Sequence, residues 1–117
     1  MRTTNQKQRL TDSALAYLRE HYTEKFSLDR MAAELYINKN YLARVYKDVT
    51  GHTLLWEHNH LRCEAAMQLL QDPSMAISTV SCQAGFTSSS HFSRIFRIHT
   101  GSTPSEYRRN NLRRNAL

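Results

Sequence analysis

The sequence predicts an all-α fold in which two helix-turn-helix subdomains are joined by a long linker helix. Apolar residues recur at helical spacing along most of the chain. The block of residues 36–53 is repeated over residues 86–103, and a stretch rich in Leu and Ala, 54–71, separates the two blocks. At a rise of about 1.5 Å per residue, that stretch would form a helix roughly 27 Å long.

The repeat includes polar positions as well as apolar ones. Upstream of the turn the offset between the copies is forty-nine, so we interpret Gly85 as one extra turn residue in the second copy. Apolar periodicity arises by chance in helical proteins, and the matched basic and Thr-Gly positions therefore indicate a true duplication. At an offset of fifty, the pairs are Tyr36 and Phe86, Leu42 and Phe92, Arg44 and Arg94, Val45 and Ile95, Tyr46 and Phe96, Lys47 and Arg97, Thr50 and Thr100, and Gly51 and Gly101.

The first subdomain is predicted over residues 11–53, after a polar segment, 1–10, that is predicted to be disordered. Thr11 or Asp12 can cap a helix that runs to about Tyr22, because their side-chain oxygens accept hydrogen bonds from the first free N–H groups. The side chains expected to face inward on this helix are Leu15, Leu18 and Tyr22.

Two more helices complete the first subdomain. Ser27 can cap a helix that ends near Leu35, and Asn38 can cap the following one. This second helix, over residues 38–50, is the predicted first recognition helix, and Gly51 should end it. Its expected inward side chains are Leu42, Val45 and Val49.

The linker helix is predicted over residues 54–72 and ends before Pro73, because a residue that precedes proline disfavours the α conformation. The second subdomain then covers residues 73–117 with its basic tail. Its second recognition helix is predicted over residues 88–99, and a capping box from Thr103 to Glu106 should start a last helix that ends near Asn110. The apolar faces of the two helices in this unit consist of Ile77, Val80 and Ala84, and of Phe92, Ile95 and Phe96.

The charge of the chain favours a polyanionic partner. Its formal net charge is +6, and residues 73–117 contain six arginines against one glutamate. Cys63 and Cys82 are too few for a disulfide framework, which indicates a reducing compartment. The chain has no run of eighteen apolar residues and no apolar signal-peptide core near residue 1, so we expect a soluble cytoplasmic protein that is not associated with a membrane.

Catalytic and metal chemistry find little support in the sequence. His58, His60 and Cys63 lie close together, but residues two apart point to different sides of a helix, and no second ligand pair follows at zinc-finger spacing. The chain has no Gly-rich phosphate loop and no arrangement that singles out a nucleophile and its base. We therefore expect no enzymatic activity, no cofactor and no metal.

Three segments resemble the DNA-binding domain of the AraC/XylS family of bacterial transcription regulators. They are SLDRMAAELYINKNYLARVYKDVTGHT, RCEAAMQLL, and the stretch from Ile77 through GFTSSSHFSRIFRIHTGSTPSEYR. The resemblance covers residues from about Leu15 to Arg108. It implies about seven helices, with two helix-turn-helix units inserted into successive major grooves of double-stranded DNA, and contacts to RNA polymerase. One departure is Glu57, where the family usually has an aromatic residue six positions after the first Thr-Gly.

The predicted recognition helices have outward faces that are chemically able to read DNA. Asn can pair bidentately with adenine and Arg with guanine, Ala can contact a thymine methyl, and Ser bonds to many base edges. The candidates for base contact are Asn40, Ala43, Arg44, Ser89, Ser90, Ser93 and Arg94, with phosphate contact left open for both arginines. The candidates for phosphate contact are Lys39, Lys47 and Arg97. The equivalent residues Tyr41 and His91 either line the groove or pack beneath the recognition helix.

The sequence thus predicts a sequence-specific double-stranded DNA-binding transcription regulator whose DNA-binding domain is a monomer. Two alternatives remain open at this point. The repeated unit could be a protein-interaction module, which would bind specific and random DNA alike, or the DNA-targeting domain of a larger enzyme. The sequence upstream of residue 1 in the native gene would separate the second alternative from a regulator.

Overall fold

In a computed structural model that describes residues 2–116, and the side chains of 5–114, the chain forms seven α-helices and no strand within that range. The helices are α1 Arg2–His21, α2 Leu28–Glu34, α3 Lys39–Thr50, α4 Leu54–Leu69, α5 Ile77–Gln83, α6 Ser89–Thr100 and α7 Pro104–Ala116. The predicted all-α fold class is confirmed. The chain divides into two compact units, Met1–His58 and Asn59–Leu117, so that the boundary lies inside the predicted linker helix.

Helix α1 begins at Arg2, and the predicted cap at Thr11 or Asp12 is wrong. Thr11 Oγ1 donates to the Lys7 carbonyl oxygen at 2.9 Å, and Asp12 Oδ1 accepts from Gln8 Nε2 at 3.0 Å. Contacts across four residues join successive turns, so these polar groups lie inside a helix and do not start one. The segment predicted to be disordered is therefore helical over residues 2–10, and Met1 lies outside the described residues.

The other predicted caps of the first unit are confirmed, and the second unit repeats the cap of the recognition helix, whereas Ala76, which precedes α5, makes no side-chain cap. In three helices a side-chain oxygen accepts hydrogen bonds of 2.9–3.1 Å from backbone N–H groups two or three residues later. Gly51 and Gly101 end α3 and α6 with φ of 81° and 84°, in the left-handed region that glycine adopts without strain. The three capping residues are Ser27, Asn38 and Ser88.

The backbone corrects the position of the extra turn residue. Tyr36 follows the end of α2 and Gly85 follows the end of α5, and both have positive φ, 56° and 97°. The next backbone N–H donates five residues back in each unit at 3.0 Å, from Ile37 to Ala32 and from Phe86 to Ser81. The offset of forty-nine therefore continues through Phe86. Gly85 matches Tyr36, and Phe86 matches Ile37.

The offset changes to fifty at the next cap, because Asn38 and Ser88 both start the recognition helix of their unit. The extra residue of the second copy is consequently Thr87, and the prediction that it was Gly85 is wrong. Residue similarity had aligned the aromatic rings of Tyr36 and Phe86, yet the first is 96% exposed and the second is buried. Backbone conformation and hydrogen bonding define the equivalence better than side-chain type at this turn.

Each unit has its own buried core. In the first unit the core consists of Ala14, Leu18, Met31, Ala32, Leu42, Val45, Tyr46 and Leu54. Val49 was expected among them and is 40% exposed, whereas Leu15 and Tyr22 are half-buried. Periodicity gives the direction of a side chain but not whether another element covers the last turn of its helix. In the second unit the core consists of Cys63, Ala66, Leu70, Val80, Ala84, Phe86, Phe92 and Phe96.

The ends of α4 and α7 differ from the predicted ones. Helix α4 ends at Leu69, a little before the predicted stop at Asp72. The capping box is confirmed, because Thr103 N donates to Glu106 Oε1 at 2.9 Å and Glu106 N donates to Thr103 Oγ1 at 3.2 Å. Helix α7 continues to Ala116 and not to Asn110, since no Pro or Gly follows its first residue. Leu117 lies outside the described residues.

None of the helices in the described range is both long enough and apolar enough to cross a membrane.

Candidate nucleic-acid interface

The outward face of α3 carries the predicted reading residues of the first unit. Its inward face is formed by Leu42, Val45 and Tyr46, all of which are buried. On the opposite face, Ala43 is half-buried and the four polar or basic candidates are exposed. They are Lys39, Asn40, Arg44 and Lys47. The structure therefore leaves all five accessible, and their contact with DNA stays a prediction.

The outward face of α6 has the same layout. Phe92 and Phe96 are buried on its inward face, and Ser93, at the position of Ala43, is half-buried. The exposed candidates are Ser89, Ser90, Arg94 and Arg97. In each recognition helix, the residue directly before the arginine is small, Ala43 or Ser93, which lets a groove surface approach the helix backbone closely at that position.

Lys39 is partly engaged within the first unit. Its ammonium group lies 2.8 Å from Asp29 Oδ1 of α2, and both side chains are more than half exposed. The hydrogen bond and the charge of Asp29 raise the pKa of Lys39, so the ammonium stays protonated. A phosphate that binds Lys39 would have to share this cation with a carboxylate.

The two candidate arginines have equivalent neighbours. The Arg44 guanidinium carbon lies 5.5 Å from the centre of the Tyr41 ring. Arg94 Nη2 lies 3.3 Å from His91 Nδ1. In both units, the residue three positions before the arginine therefore contacts its side chain.

Glu57, the departure from the family pattern, has a partner in the core of the first unit. The Tyr46 hydroxyl donates to Glu57 Oε1 at 2.7 Å, and burial together with this carboxylate raises the pKa of the phenol. At the equivalent positions of the second unit, Phe96 and Tyr107 form an edge-on aromatic pair, with ring centres 5.6 Å apart. Each unit thus joins its recognition helix to the helix that follows, through a hydrogen bond in one and a ring contact in the other.

The sequence analysis did not predict these two contacts, although the repeat indicates them. The offset of fifty that matches Tyr46 with Phe96 also matches Glu57 with Tyr107. A hydroxyl gained at one position and a carboxylate gained at the other are complementary changes. Glu57 therefore does not weaken the link between α3 and the start of α4.

Arg62 is a second residue that sequence reasoning missed. Its buried guanidinium donates to the Gly85 carbonyl oxygen at 3.2 Å and to Asn59 Oδ1, and it lies 4.0 Å from the centre of the Phe86 ring. A cation over a ring face at this distance is attractive, most of all where water is excluded. Arg62 of α4 therefore holds the turn that precedes α6.

The basic tail is partly committed to the fold of the second unit. Arg108 Nε donates to the Leu70 carbonyl oxygen, and Arg108 Nη2 donates to that of Asp72, both at 3.1 Å. These carbonyls lie just after the end of α4, and that of Asp72 also accepts from Met75 N at 3.2 Å. Of the tail arginines, Arg109, Arg113 and Arg114 are exposed, and all three precede the end of α7.

The histidines near Cys63 take part in packing. The His58 ring lies 5.4 Å from that of Phe26, and the His60 ring lies 5.6 Å from that of His99. Over the described part of the chain, no group of three or more His, Cys, Asp or Glu residues could hold a metal ion. Cys63 is buried and Cys82 is exposed, and both are free thiols.

Comparison with known proteins identifies the family. The sequence pattern of the family described as a helix-turn-helix domain matches residues 31–110. The MmsAB operon regulatory protein of Pseudomonas aeruginosa is 36% identical over 97 residues, which are 83% of this chain and 32% of that protein. The chain spans about a third of the length of the curated relatives that it matches.

Comparison with solved structures indicates the same family. A transcriptional regulator from Chromobacterium violaceum, described as having an AraC-type DNA-binding domain, has a TM-score of 0.81 and 30% identity, with 89% of this chain and 93% of that chain covered. The DNA-binding domain of the global transcriptional factor AdpA, solved in complex with a target DNA, has a TM-score of 0.81 and 26% identity, with 92% and 96% covered. The chain therefore belongs to the AraC-type helix-turn-helix family of DNA-binding transcription regulators.

Proposed function

We propose that the chain is a sequence-specific DNA-binding domain that inserts α3 and α6 into successive major grooves of double-stranded DNA. The observation that carries the proposal is the repeated outward face. In both recognition helices, a buried apolar stripe directs an arginine, a second basic residue and one small residue to the solvent at the same positions. This composition suits a major groove, where base edges are flanked by phosphates.

The two faces should not read DNA equally well. The first unit offers Asn40 and Arg44, which can form paired hydrogen bonds with adenine and guanine. The second unit offers Ser89, Ser90 and Ser93 with Arg94, and a hydroxyl accepts or donates at many base edges. We therefore infer stronger sequence preference in the DNA block that α3 contacts. Lys39, Lys47 and Arg97 are assigned to phosphates.

Selection of bound duplexes from a random pool at physiological salt tests the proposal. Two helices in successive grooves predict two preferred blocks about ten base pairs apart, since one DNA turn has that length. A single block would limit sequence reading to one unit. Equal affinity for selected and random duplexes would refute sequence-specific binding and favour a protein-interaction module.

Arg44→Ala separates base contact from phosphate contact at one residue. If Arg44 pairs with guanine, the variant loses about 1–3 kcal/mol on the selected duplex and much less on random duplexes. Equal losses on both duplexes would assign Arg44 to the DNA backbone. Lys47→Ala is the matched control, because a phosphate contact should weaken binding to all duplexes alike.

The whole protein is proposed to be a transcription regulator that acts in the cytoplasm on nucleoid DNA and contacts RNA polymerase. The MmsAB relative supports this role, since its name refers to operon regulation. Transcription with purified polymerase from a promoter that contains the selected sequence tests it. The isolated domain is proposed to be a monomer, and sedimentation would give twice the expected mass of 13.7 kDa if it were a dimer.

A further inference from the structure

The two recognition helices share a side-chain contact that the apolar repeat does not explain. Tyr41 and His91 stand at equivalent positions, and each contacts the arginine three residues later. Residues three apart are neighbours on a helix surface, so each contact can form without any change in backbone. A flexible arginine gains orientation from such a neighbour, and orientation is what a bidentate contact to a base requires.

We propose that His91 and Tyr41 are positioning residues, which hold Arg94 and Arg44 in the orientation that enters the major groove. The inference rests on the proposed function for its DNA readout. Neither residue needs to contact DNA. They restrict the guanidinium to fewer orientations in the free protein, so that less conformational entropy is lost when the complex with DNA forms.

In the contact between His91 and Arg94, the donor and the acceptor can be assigned. Arginine has only N–H donors, so His91 Nδ1 must be the acceptor for Arg94 Nη2. A neutral imidazole whose Nδ1 accepts carries its proton on Nε2. The geometry therefore selects one of the two neutral tautomers, and it requires that the ring be uncharged.

The surroundings of His91 keep the ring neutral. Partial burial lowers the pKa of His91, and the positive charges of Arg62 on α4 and Arg94 on α6 lower it further. A further neighbour of the ring is Phe86, 5.9 Å away, which carries no charge. When the pH falls through the lowered pKa, below the ordinary value of about 6.5, Nδ1 gains a proton and the acceptor is lost. The new imidazolium then repels Arg94.

The Tyr41 contact differs because it has no titrating acceptor. The ring faces a guanidinium at 5.5 Å, within the range of about 6 Å in which a cation is attracted to an aromatic face. This attraction depends on the ring and not on the hydroxyl. The first unit should therefore keep its orientation of Arg44 at an acidic pH at which the second unit loses that of Arg94.

The first test uses the free domain and does not depend on DNA. Nitrogen-15 NMR of the imidazole at a pH above the His91 pKa should show the proton on Nε2, and Arg94→Ala should weaken that tautomer preference. A predominant Nδ1–H tautomer would overturn the assignment. Because no duplex is present, this result stands even if the proposed DNA binding fails.

The second test measures discrimination in each DNA block, as the ratio of Kd for a duplex with one altered base to Kd for the selected duplex. His91→Leu removes both the acceptor and the ring, and we expect the ratio in the α6 block to fall about threefold to tenfold, with the α3 block unchanged. Lowering the pH should reproduce this loss in the parent protein and not in His91→Leu. An unchanged ratio in the variant would overturn the proposal.

The Tyr41 variants provide the matched controls. Tyr41→Phe keeps the ring and should leave the α3 block unaffected, whereas Tyr41→Leu should reduce its ratio and spare the α6 block. Equal losses in both blocks, or a melting temperature that falls with the ratio, would indicate a purely structural role and overturn the proposal. If random-pool selection finds no preferred sequence, the proposed function fails, and the NMR result alone decides the pairing.

Discussion

Replacing Tyr46 by Phe removes one hydroxyl from a buried ring and leaves its shape unchanged. The ring is 1% exposed, and the lost hydrogen bond is the 2.7 Å donation to Glu57 Oε1. A hydrogen bond to a charged acceptor contributes about 1.5–3 kcal/mol, but the half-buried Glu57 can recover part of this from water after the change. We therefore expect Tyr46→Phe to lower the free energy of unfolding by about 1–2 kcal/mol.

Removing the carboxylate of Glu57 should lower the free energy of unfolding more than removing the hydroxyl of Tyr46 does. Glu57→Leu leaves the Tyr46 hydroxyl buried without its acceptor, and an unsatisfied buried hydroxyl costs about 1–3 kcal/mol. In the double variant Tyr46→Phe, Glu57→Leu, neither polar group remains to be left without a partner, so the combined loss should be smaller than the sum of the single losses. The expected interaction energy is about 1 kcal/mol or more.

Urea unfolding of the parent, the two single variants and the double variant measures this cycle. The slope of the free energy against urea concentration must stay constant, so that the change reflects the native state. Additive losses would refute the reasoning, because they would mean that the 2.7 Å contact contributes nothing beyond the two side chains separately. Tyr107→Phe in the second unit is the matched control. It should keep the edge-on ring contact with Phe96.

Three further predictions concern the turn, pH and salt. Tyr36→Gly should raise the free energy of unfolding by about 0.5–1 kcal/mol, because the left-handed conformation costs a non-glycine residue about 1–2 kcal/mol, and the greater flexibility of glycine in the unfolded chain offsets part of this gain. Gly85→Ala should lower the free energy of unfolding, since alanine would have to adopt the same left-handed conformation. Equal effects of both changes in urea unfolding would contradict the conformational argument. Because the pKa of Tyr46 is raised in the folded protein, the unfolded chain releases the phenol proton at a lower pH than the folded chain does. The contribution of Tyr46 to folding stability is therefore complete below about pH 10 and is lost as the pH rises further. Stability measured at rising alkaline pH should therefore fall more steeply in the parent than in Tyr46→Phe, and parallel curves would argue against it. DNA binding should weaken steeply with salt, and Lys47→Ala should reduce the slope of log affinity against log salt by about one, whereas an unchanged slope would exclude a phosphate contact.

The helix starts and stops of the first unit were predictable where a single residue decides them. Ser27 and Asn38 carry short polar side chains that compete for backbone N–H groups, and Gly51 accepts a conformation that other residues resist. Thr11 and Asp12 belong to the same residue types, but they lie within α1. The preference of Ser, Thr, Asp and Asn for the N-cap position does not reveal whether helix-forming residues continue upstream.

The candidate site was predictable in its outline and not in its contacts. The exposure of Arg44 and Arg94 follows from the apolar stripe on the other side of each helix. The contact between His91 and Arg94 depends on side-chain rotamers, and the pairing of Arg62 with the Gly85 carbonyl joins residues far apart in sequence. Helical spacing places His91 beside Arg94 but does not determine their rotamers, and it gives no information on the pairing of Arg62 with Gly85.

The location of the extra residue at Thr87 has a practical meaning for chimeric proteins. A recognition module transplanted between the two halves must be spliced at the capping residue, Asn38 or Ser88, where backbone hydrogen bonding again coincides. A junction within the preceding turn, at the offset of forty-nine, would change the length of that turn by one residue, because Thr87 has no counterpart in the first half. Hybrid libraries that exchange specificity should therefore be cut at those two caps.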